Sequence, residues 1–250
     1  SSRFRTRTPA VLMFSTLYAL SGFVAAYNWN HMWMDVIWLT PLVVLGLERL
    51  VKERKSTLYC VALTASIFTN YYLSIMLCIF LIFYFFIQLF TNSLKFKEKL
   101  ATVLRFALYS LWAGGMSAVL LLPVKAAMHS TEFSDISFPK SITFYFNALE
   151  MVARHFVNTP KEIGLDHWPN IYCGVLVFVL LPLYAFCSKI PLKQRIAKLS
   201  LAAFFLLSFS TNILNFIWHG LNYPDSLPAR QSFLYIFLLL TMAFEALIHI

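Results

Sequence analysis

Long runs of apolar residues alternate with shorter polar connections along the whole chain. A helix needs roughly 20 mainly apolar residues to cross a bilayer, and tilt shortens or lengthens that requirement. The pattern predicts about eight membrane-spanning helices, at residues 9–26, 36–51, 57–70, 72–90, 102–123, 170–187, 199–217 and 231–250. We therefore expect an all-α polytopic membrane protein, with residues 1–250 forming a single transmembrane domain.

The longest connection, residues 124–169, lies between the fifth and sixth predicted spans. It contains an apolar and aromatic segment at 142–149 that is too short to cross a bilayer and is flanked by polar residues. Such a segment is typical of an interfacial or re-entrant helix. Because long connections often act as binding loops or lids, we expect 124–169 to be an outward-facing loop that carries this helix.

Composition supports a membrane protein. The mean hydropathy is +0.70, 60% of the residues are hydrophobic and only 12% are charged, which lies outside the usage of soluble globular proteins. The chain starts at Ser1, reaches its first apolar run within a few residues and stops inside another at Ile250, without a signal-peptide pattern. These features favour an internal fragment of a larger membrane protein.

Basic residues are distributed unevenly between the two ends of the predicted spans. Fifteen of the twenty Lys and Arg residues fall at alternate ends of the apolar runs, within 3–7, 49–55, 95–105 and 189–198. Seven of the eleven acidic residues fall in the other connections. Because an excess of Lys and Arg marks cytoplasmic loops, the pattern predicts a cytoplasmic N-terminus and outward-facing loops that are acidic and aromatic.

The formal net charge of +9 has a lipid explanation. Short basic clusters beside apolar spans contact anionic lipid headgroups, and no nucleic-acid-binding module is visible in the sequence. We expect membrane lipids and no nucleic acid among the partners. The four cysteines lie within predicted spans and the histidines are too scattered for a metal site, so we expect neither a metal nor another cofactor.

Polar residues that could carry chemistry gather in three groups at the outer ends of the predicted spans. The groups are Asn28, Asn30, His31 and Asp35; Asp166, His167, Asn170 and Tyr172; and His219, Asn222, Tyr223, Asp225 and Arg230. Ionisable groups at membrane depth are costly unless they line a wet or protein-enclosed site. If the spans pack as a bundle, the three groups could converge on one outward-facing cleft.

Three of these residues, His31, Asp35 and Arg230, carry the clearest alternatives. His31 and Asp35 would share a helix face, where a carboxylate beside an imidazole could transfer a proton or orient a hydroxyl group; the alternative is a helix cap at the interface. Arg230 could hold a phosphate through its guanidinium; the alternative is an anchor that extends to the membrane surface. We take Asp35 and His31 as candidate catalytic residues and Arg230, His219, Asn30, Asn170, Tyr172 and Tyr223 as candidate substrate-binding residues.

At these positions the chain resembles the bacterial YfhO family of polytopic membrane proteins. The motifs that carry the resemblance are YALSGFV at 18–24, NHMWMD at 30–35, PL at 41–42, LGLERL at 45–50, TNYY at 69–72, NIYCG at 170–174, IWHG at 217–220 and PARQSF at 228–233. They follow one another in order over essentially all 250 residues. One departure is Ala229, where the family pattern has an aromatic residue before the arginine.

The resemblance implies a glycosyltransferase of the C superfamily (GT-C) in the bacterial plasma membrane, with its catalytic cleft on the outer face. Its donor would be a polyprenyl-phosphate-linked sugar, and its acceptor a cell-wall polymer of the teichoic-acid type. The usual catalytic acid of such enzymes lies in a large first outer loop, which has no counterpart in this sequence. The main catalytic acid is therefore expected outside this fragment.

Within that reading, Arg230 would stabilise the leaving phosphate with help from His219, and Asp35 would position the acceptor. The 142–149 segment would guide the lipid chain. The rival interpretation is a lipid-linked sugar flippase or another transporter, which would place ionisable residues near the midplane and often contain internal repeats. The outer location of the polar groups and the absence of a repeat favour the enzyme.

Overall fold

The computed structural model describes residues 8–129, 138–164, 166–223 and 226–249. The basic residues at 3–7 and Asp225 of the third polar group lie outside the described residues. The described residues form twelve helices and one isolated bridge. The helices are α1 (Thr8–Ala19), α2 (Gly22–Tyr27), α3 (His31–Lys52), α4 (Thr57–Thr69), α5 (Tyr71–Thr91), α6 (Phe96–Met116), α7 (Ala118–His129), α8 (Ala148–Ala153), α9 (Val175–Phe186), α10 (Leu192–Ser210), α11 (Asn212–Trp218) and α12 (Ser232–His249).

Helices cover most of each predicted span, which confirms the all-helical class. By length and composition, three stretches of the described chain could cross a membrane: Pro9–Tyr27, Tyr71–Thr91 and Ser232–His249. A fourth is possible if α6 and residues 118–127 of α7, which are bent by 68° at their junction, count as one span. The count of eight crossings therefore stays a prediction.

The other helices are shorter or carry more charge. At 1.5 Å per residue, the 13 residues of α4 and the 12 of α9 extend only about 20 Å, against a hydrocarbon thickness of about 30 Å. Helix α10 begins with a basic turn that contains Lys193 and Arg195, and α3 carries charged residues near both ends. Because these helices are short or carry charged residues, they do not have the length and composition of a membrane-spanning helix.

The chain divides into two compact units. The first consists of Ser1–Trp29, Lys140–Asn215 and Pro224–Ile250, and the second of Asn30–Pro139 and Phe216–Tyr223. In the first unit, α12 packs against α1, α9 and α10. Its interior contains edge-to-face or tilted ring pairs such as Phe14 with Phe244 and Phe23 with Phe233, together with a 2.6 Å ion pair between Lys198 Nζ and Glu245 Oε1.

The second unit is built on α3, which packs against α4, α5 and α6. Gly46 allows α3 and α4 to approach closely, since a Cβ atom there would lie 2.5 Å from the backbone nitrogen of Tyr59. The Tyr59 hydroxyl in turn lies 2.8 Å from Ser110 Oγ on α6. Glu48 of α3 accepts a 2.8 Å hydrogen bond from the Tyr84 hydroxyl on α5. Close packing and side-chain hydrogen bonds thus join four helices of this unit.

The predicted helix at 142–149 is wrong for most of its length. The backbone at Phe144 forms an antiparallel bridge with Thr211, and Tyr145 N donates to Ser210 O at 2.8 Å. Asn212 completes the attachment because its Oδ1 accepts from Thr143 N at 3.0 Å. β-branched and aromatic residues favour extended backbone, and the end of α10 supplies the hydrogen-bond partners, so the helix α8 begins only at Ala148.

Candidate functional site

The first unit contains a cavity of about 230 Å³. Three segments line it: Gly22 and Ala25 of α2, residues 154 and 156–161 after α8, and residues 170–172 before α9. Gly22 N donates to Tyr172 O at 2.7 Å, which fixes α2 against the third segment. The cavity is smaller than the roughly 300–1,000 Å³ of pockets for drug-sized ligands, so its size suits a small polar group. We call it the basic cavity because Arg154 and Lys161 are among the residues that line it.

Arg154 is a strongly constrained polar residue of the basic cavity, and only 9% of its surface is exposed. Its Nε donates to Pro169 O at 3.1 Å and its Nη1 to Pro160 O at 2.8 Å. Its Nη2 donates to Asn170 Oδ1 at 3.1 Å. All three acceptors are neutral, and none of the ion pairs found in the described chain involves Arg154. The guanidinium is therefore held in place without a paired carboxylate.

The local charge of the cavity is positive. Lys161 is exposed and also lines it, whereas none of the described lining residues is acidic. The carboxylate of Glu162 acts electrostatically on Arg154, and its Oε1 accepts a hydrogen bond from Gly164 N at 2.6 Å. Burial lowers the pKa of Arg154 from its usual value, and Glu162 and Tyr27 act in the opposite direction. Because an arginine starts from so high a pKa, it remains charged.

Asn170 and Tyr172, both predicted as substrate-binding residues, line this cavity. Asn170 is 5% exposed, and both the oxygen and the nitrogen of its side-chain amide form hydrogen bonds. Its Oδ1 accepts from Arg154 and from Glu162 N, and its Nδ2 donates to Glu162 O at 2.7 Å. Asn170 therefore positions Arg154 and the loop beside it. Tyr172 is half-buried, and no hydrogen-bond partner of its hydroxyl is recorded among the described residues.

Arg230, the third predicted residue of the first unit, lies in the loop before α12 and does not line the basic cavity. Its Nε donates to Leu227 O at 3.1 Å and its Nη2 to Ser226 O at 3.0 Å, so its guanidinium stabilises the turn that precedes it. The backbone there is tight, since Leu227 and Ala229 both have positive φ angles, 57° and 51°. Helix α2 contacts this loop, because the Tyr27 hydroxyl donates to Pro228 O at 2.9 Å.

Aromatic stacking orders the segment that leads into the cavity. The His167 ring stacks on Tyr145 with centroids 3.9 Å apart, and Trp168 stacks on Phe146 at 4.2 Å. Burial lowers the pKa of His167, with Asp166 acting in the opposite direction. These two stacks attach residues 167–168 to residues 145–146, and so they hold the polypeptide just before the cavity-lining Asn170.

In the second unit, Asn30, His31 and Asp35 lie at the start of α3. Asn30 occupies the N-cap position without a side-chain hydrogen bond, and its carbonyl accepts from Trp33 N at 3.0 Å. His31 and Asp35 fall four residues apart on one helix, as the pattern predicts, and both are exposed. The two side chains are not recorded within ion-pair distance of each other. The helix thus supplies a shared face without a preformed dyad.

His219 and Tyr223 also lie in the second unit, after α11. His219 is only 1% exposed, and its ring centroid lies 6.4 Å from that of Tyr72 on α5. Tyr223 packs its ring 5.0 Å from Phe216. Both positions are therefore packed against neighbouring rings.

The predicted residues are thus divided between the units: Asn170, Tyr172 and Arg230 in the first, and Asn30, His31, Asp35, His219 and Tyr223 in the second. Their convergence on one cleft stays a prediction. Sequence reasoning did not single out Arg154 or Lys161. The sequence does contain one signal for them: both are basic residues in a connection predicted to face outward, and Lys and Arg are uncommon in such connections.

Within the described part of the chain, no group of three or more His, Cys, Asp or Glu side chains could hold a metal ion. In a comparison with known protein families, the model of the bacterial membrane protein family YfhO matches residues 1–250. No curated protein and no solved structure matches the chain.

Proposed function

Because the chain belongs to the bacterial YfhO family of membrane proteins, we propose that it is the membrane part of a glycosyltransferase. The enzyme would transfer a sugar from a polyprenyl-phosphate donor to a cell-envelope polymer of the teichoic-acid type, on the outer face of the plasma membrane. Its fold would be GT-C-like, with an outward-facing cleft. The several apolar helices of the described chain agree with a membrane location.

The observation that carries the proposal is the basic cavity. In the transfer, a hydroxyl oxygen of the acceptor bonds to the anomeric carbon of the sugar, the bond from that carbon to the phosphate oxygen breaks, and the polyprenyl phosphate leaves. Negative charge develops on the departing phosphate. Fixed donors that face such charge are the main electrostatic aid to catalysis, and the guanidinium of Arg154, held by three neutral acceptors, is a donor of this kind.

The remaining predicted residues have roles within this proposal. Asp35, with His31, would accept the proton of the acceptor hydroxyl or position that hydroxyl for a base elsewhere in the full-length protein. Arg230 and His219 would contact the donor, and Asn30, Asn170, Tyr172 and Tyr223 would contribute to substrate binding. The two exposed side chains at the start of α3 support the assignment, because a group that exchanges protons with a substrate must be accessible.

A lipid-linked sugar flippase is the second candidate, and one observation favours it. Lys198 of α10 is 2% exposed and forms a 2.6 Å ion pair with Glu245 of α12. Helix α12 is a candidate span, and ionisable residues inside membrane helices often mark transport pathways. A flippase would move the lipid-linked sugar across the bilayer with every covalent bond intact.

The deciding experiment uses the full-length protein in membrane vesicles with a radiolabelled polyprenyl-phosphate sugar and a teichoic-acid acceptor. We expect label in the polymer, and we expect Asp35→Asn and Arg230→Ala to lower transfer by about 10²-fold or more. Glu53→Gln, which changes an exposed carboxylate at the other end of α3, is the matched control and should transfer normally. Label that crosses the bilayer and never enters the polymer would establish the flippase instead.

A further inference from the structure

We infer that Arg154 and Lys161 form the subsite that binds the phosphate group of a lipid-linked ligand. The identity of that ligand as a sugar donor rests on the proposed function, whereas the binding of a phosphate ester follows from the cavity itself. Arg154 forms part of the cavity wall and Lys161 is an exposed residue of the same lining. Two positive charges therefore border one small cavity in the first unit.

The guanidinium of Arg154 is preorganised for two oxygen atoms. An arginine has five N–H groups, one on Nε and two on each terminal nitrogen. The bonds to Pro169 O, Pro160 O and Asn170 Oδ1 use one N–H of each nitrogen. One N–H on Nη1 and one on Nη2 remain without a recorded acceptor among the described residues. A guanidinium with both terminal nitrogens available suits the bidentate binding of a phosphate.

The charge balance also indicates an anionic ligand. A buried charge is unfavourable unless an opposite charge or a strong acceptor compensates it. Arg154 has only neutral acceptors, and the Glu162 carboxylate beside it accepts from Gly164 N and forms no recorded ion pair with Arg154. A phosphate in the basic cavity would supply the missing negative charge, and Lys161 would add a second attraction.

The apolar lining residues and the volume of the cavity indicate what kind of phosphate compound it can hold. Apolar side chains, among them Phe156, Val157 and Ile171, form much of the wall. The cavity of about 230 Å³ is several times the roughly 30 Å³ that one water molecule occupies in the liquid, so a phosphate fits with room for an attached group. Positive charge next to apolar surface suits a phosphate ester better than a free ion.

The inference is tested by binding, so that it does not depend on turnover. The full-length protein, reconstituted in nanodiscs of uncharged lipid, is titrated with farnesyl phosphate, farnesol and inorganic phosphate. We expect farnesyl phosphate to bind, and we expect its affinity to fall as ionic strength rises because the exposed Lys161 is screened by salt. We expect farnesol, which lacks the phosphate, to bind at least about 10-fold more weakly.

Three variants locate the binding. Arg154→Lys keeps the charge and removes the planar fork, and should weaken farnesyl phosphate binding by about 10-fold or more. Lys161→Gln changes an exposed side chain and leaves folding intact, and should weaken binding by about 3- to 10-fold. Lys140→Gln, at an exposed position outside the cavity, is the matched control and should bind as the parent does.

The outcomes separate this inference from the proposed function. Unchanged affinity in both Arg154→Lys and Lys161→Gln, or equal binding of farnesol and farnesyl phosphate, overturns the phosphate subsite even if the protein transfers sugar. Binding that is lost in the variants supports the subsite even if no sugar is transferred. Inorganic phosphate that binds and is lost in the same variants also supports it, and shows that the lipid chain adds little to the affinity.

Discussion

At the scale of single residues, the basic cavity depends on a network of backbone carbonyls and one amide. Asn170 joins Arg154 to the backbone at Glu162 through three hydrogen bonds. The sequence predicts Asn170 as a substrate-binding residue near the start of the sixth span, and in the structure its side chain supports an arginine. No spacing rule connects Arg154 to Asn170, which is sixteen residues away in a segment without regular secondary structure, so tertiary packing alone brings them together.

His155, the neighbour of Arg154, gives a pH-dependent prediction. Its Nδ1 faces the carbonyls of Met151 and Val152, at 3.2 and 3.3 Å, and its Nε2 lies 2.9 Å from the Tyr235 hydroxyl. Burial lowers the pKa of His155 from its usual value, with the backbone hydrogen bonds acting in the opposite direction. Because carbonyls only accept, Nδ1–H donates, and in the neutral ring Nε2 accepts from Tyr235.

A group whose pKa is lower in the folded protein binds more protons when the chain unfolds. The stability that His155 contributes is therefore complete above its unfolded pKa of about 6.5 and is lost as the pH falls below that value. We expect the midpoint of thermal unfolding in detergent to rise between about pH 5 and pH 7, and the rise to be smaller in His155→Phe. Equal slopes in the parent and the variant would show that this histidine does not titrate with unfolding.

At the scale of elements, the positions of the helices followed from apolar runs, and the clearest error was the segment 142–149. Its aromatic and β-branched residues suit a strand as well as an interfacial helix, and a run of eight residues does not distinguish the two. The deciding groups lie far along the chain, where Ser210 and Asn212 bond to the backbone of Thr143 and Tyr145. A local pattern contains no information about such distant partners.

The contact between α3 and α4 gives a second prediction. A Cβ atom at Gly46 would lie 2.5 and 2.6 Å from backbone atoms of Tyr59, closer than real Cβ atoms approach. We expect Gly46→Ala to force the two helices apart and to lower the free energy of unfolding by about 1–3 kcal/mol, the usual effect of overpacking. The measurement is thermal or denaturant unfolding of the purified protein in detergent.

Gly115 on α6 is the matched control, because a Cβ atom there meets nothing within 4 Å. Alanine is the better helix former by up to about 1 kcal/mol, so Gly115→Ala should leave stability unchanged or raise it. If Gly46→Ala were as stable as Gly115→Ala, the close approach of α3 to α4 would not exist in the membrane-bound protein.

At the scale of the whole molecule, the orientation in the membrane is the prediction that most needs a measurement. The distribution of Lys and Arg predicts that residues 92–95 face the cytoplasm and that the 124–169 connection faces outward. We expect a membrane-impermeant thiol reagent added to intact cells to label Lys140→Cys and not Ser93→Cys. Both positions are exposed, and the background would have all four native cysteines, Cys60, Cys78, Cys173 and Cys187, replaced by alanine.

Permeabilised cells provide the control, since both cysteines should then react. Labelling of Ser93→Cys and not of Lys140→Cys in intact cells would invert the orientation and place the basic cavity's connection on the cytoplasmic side. Labelling of both cysteines in intact cells would place both residues on the outer side. It would contradict the prediction that the chain crosses the membrane an odd number of times between residues 93 and 140. Either result would remove the outward-facing cleft from the proposed function.

The sequence by itself determined the membrane class, the family and the approximate limits of most helices, because apolar length, basic clusters and ordered motifs are properties of contiguous residues. The tertiary structure alone decided that Phe144 forms a bridge with Thr211 where a helix was predicted and that Arg154, held by Asn170 and two proline carbonyls, lines the basic cavity. The physical reason is that both features depend on hydrogen bonds between segments whose separation along the chain follows no helical or strand period.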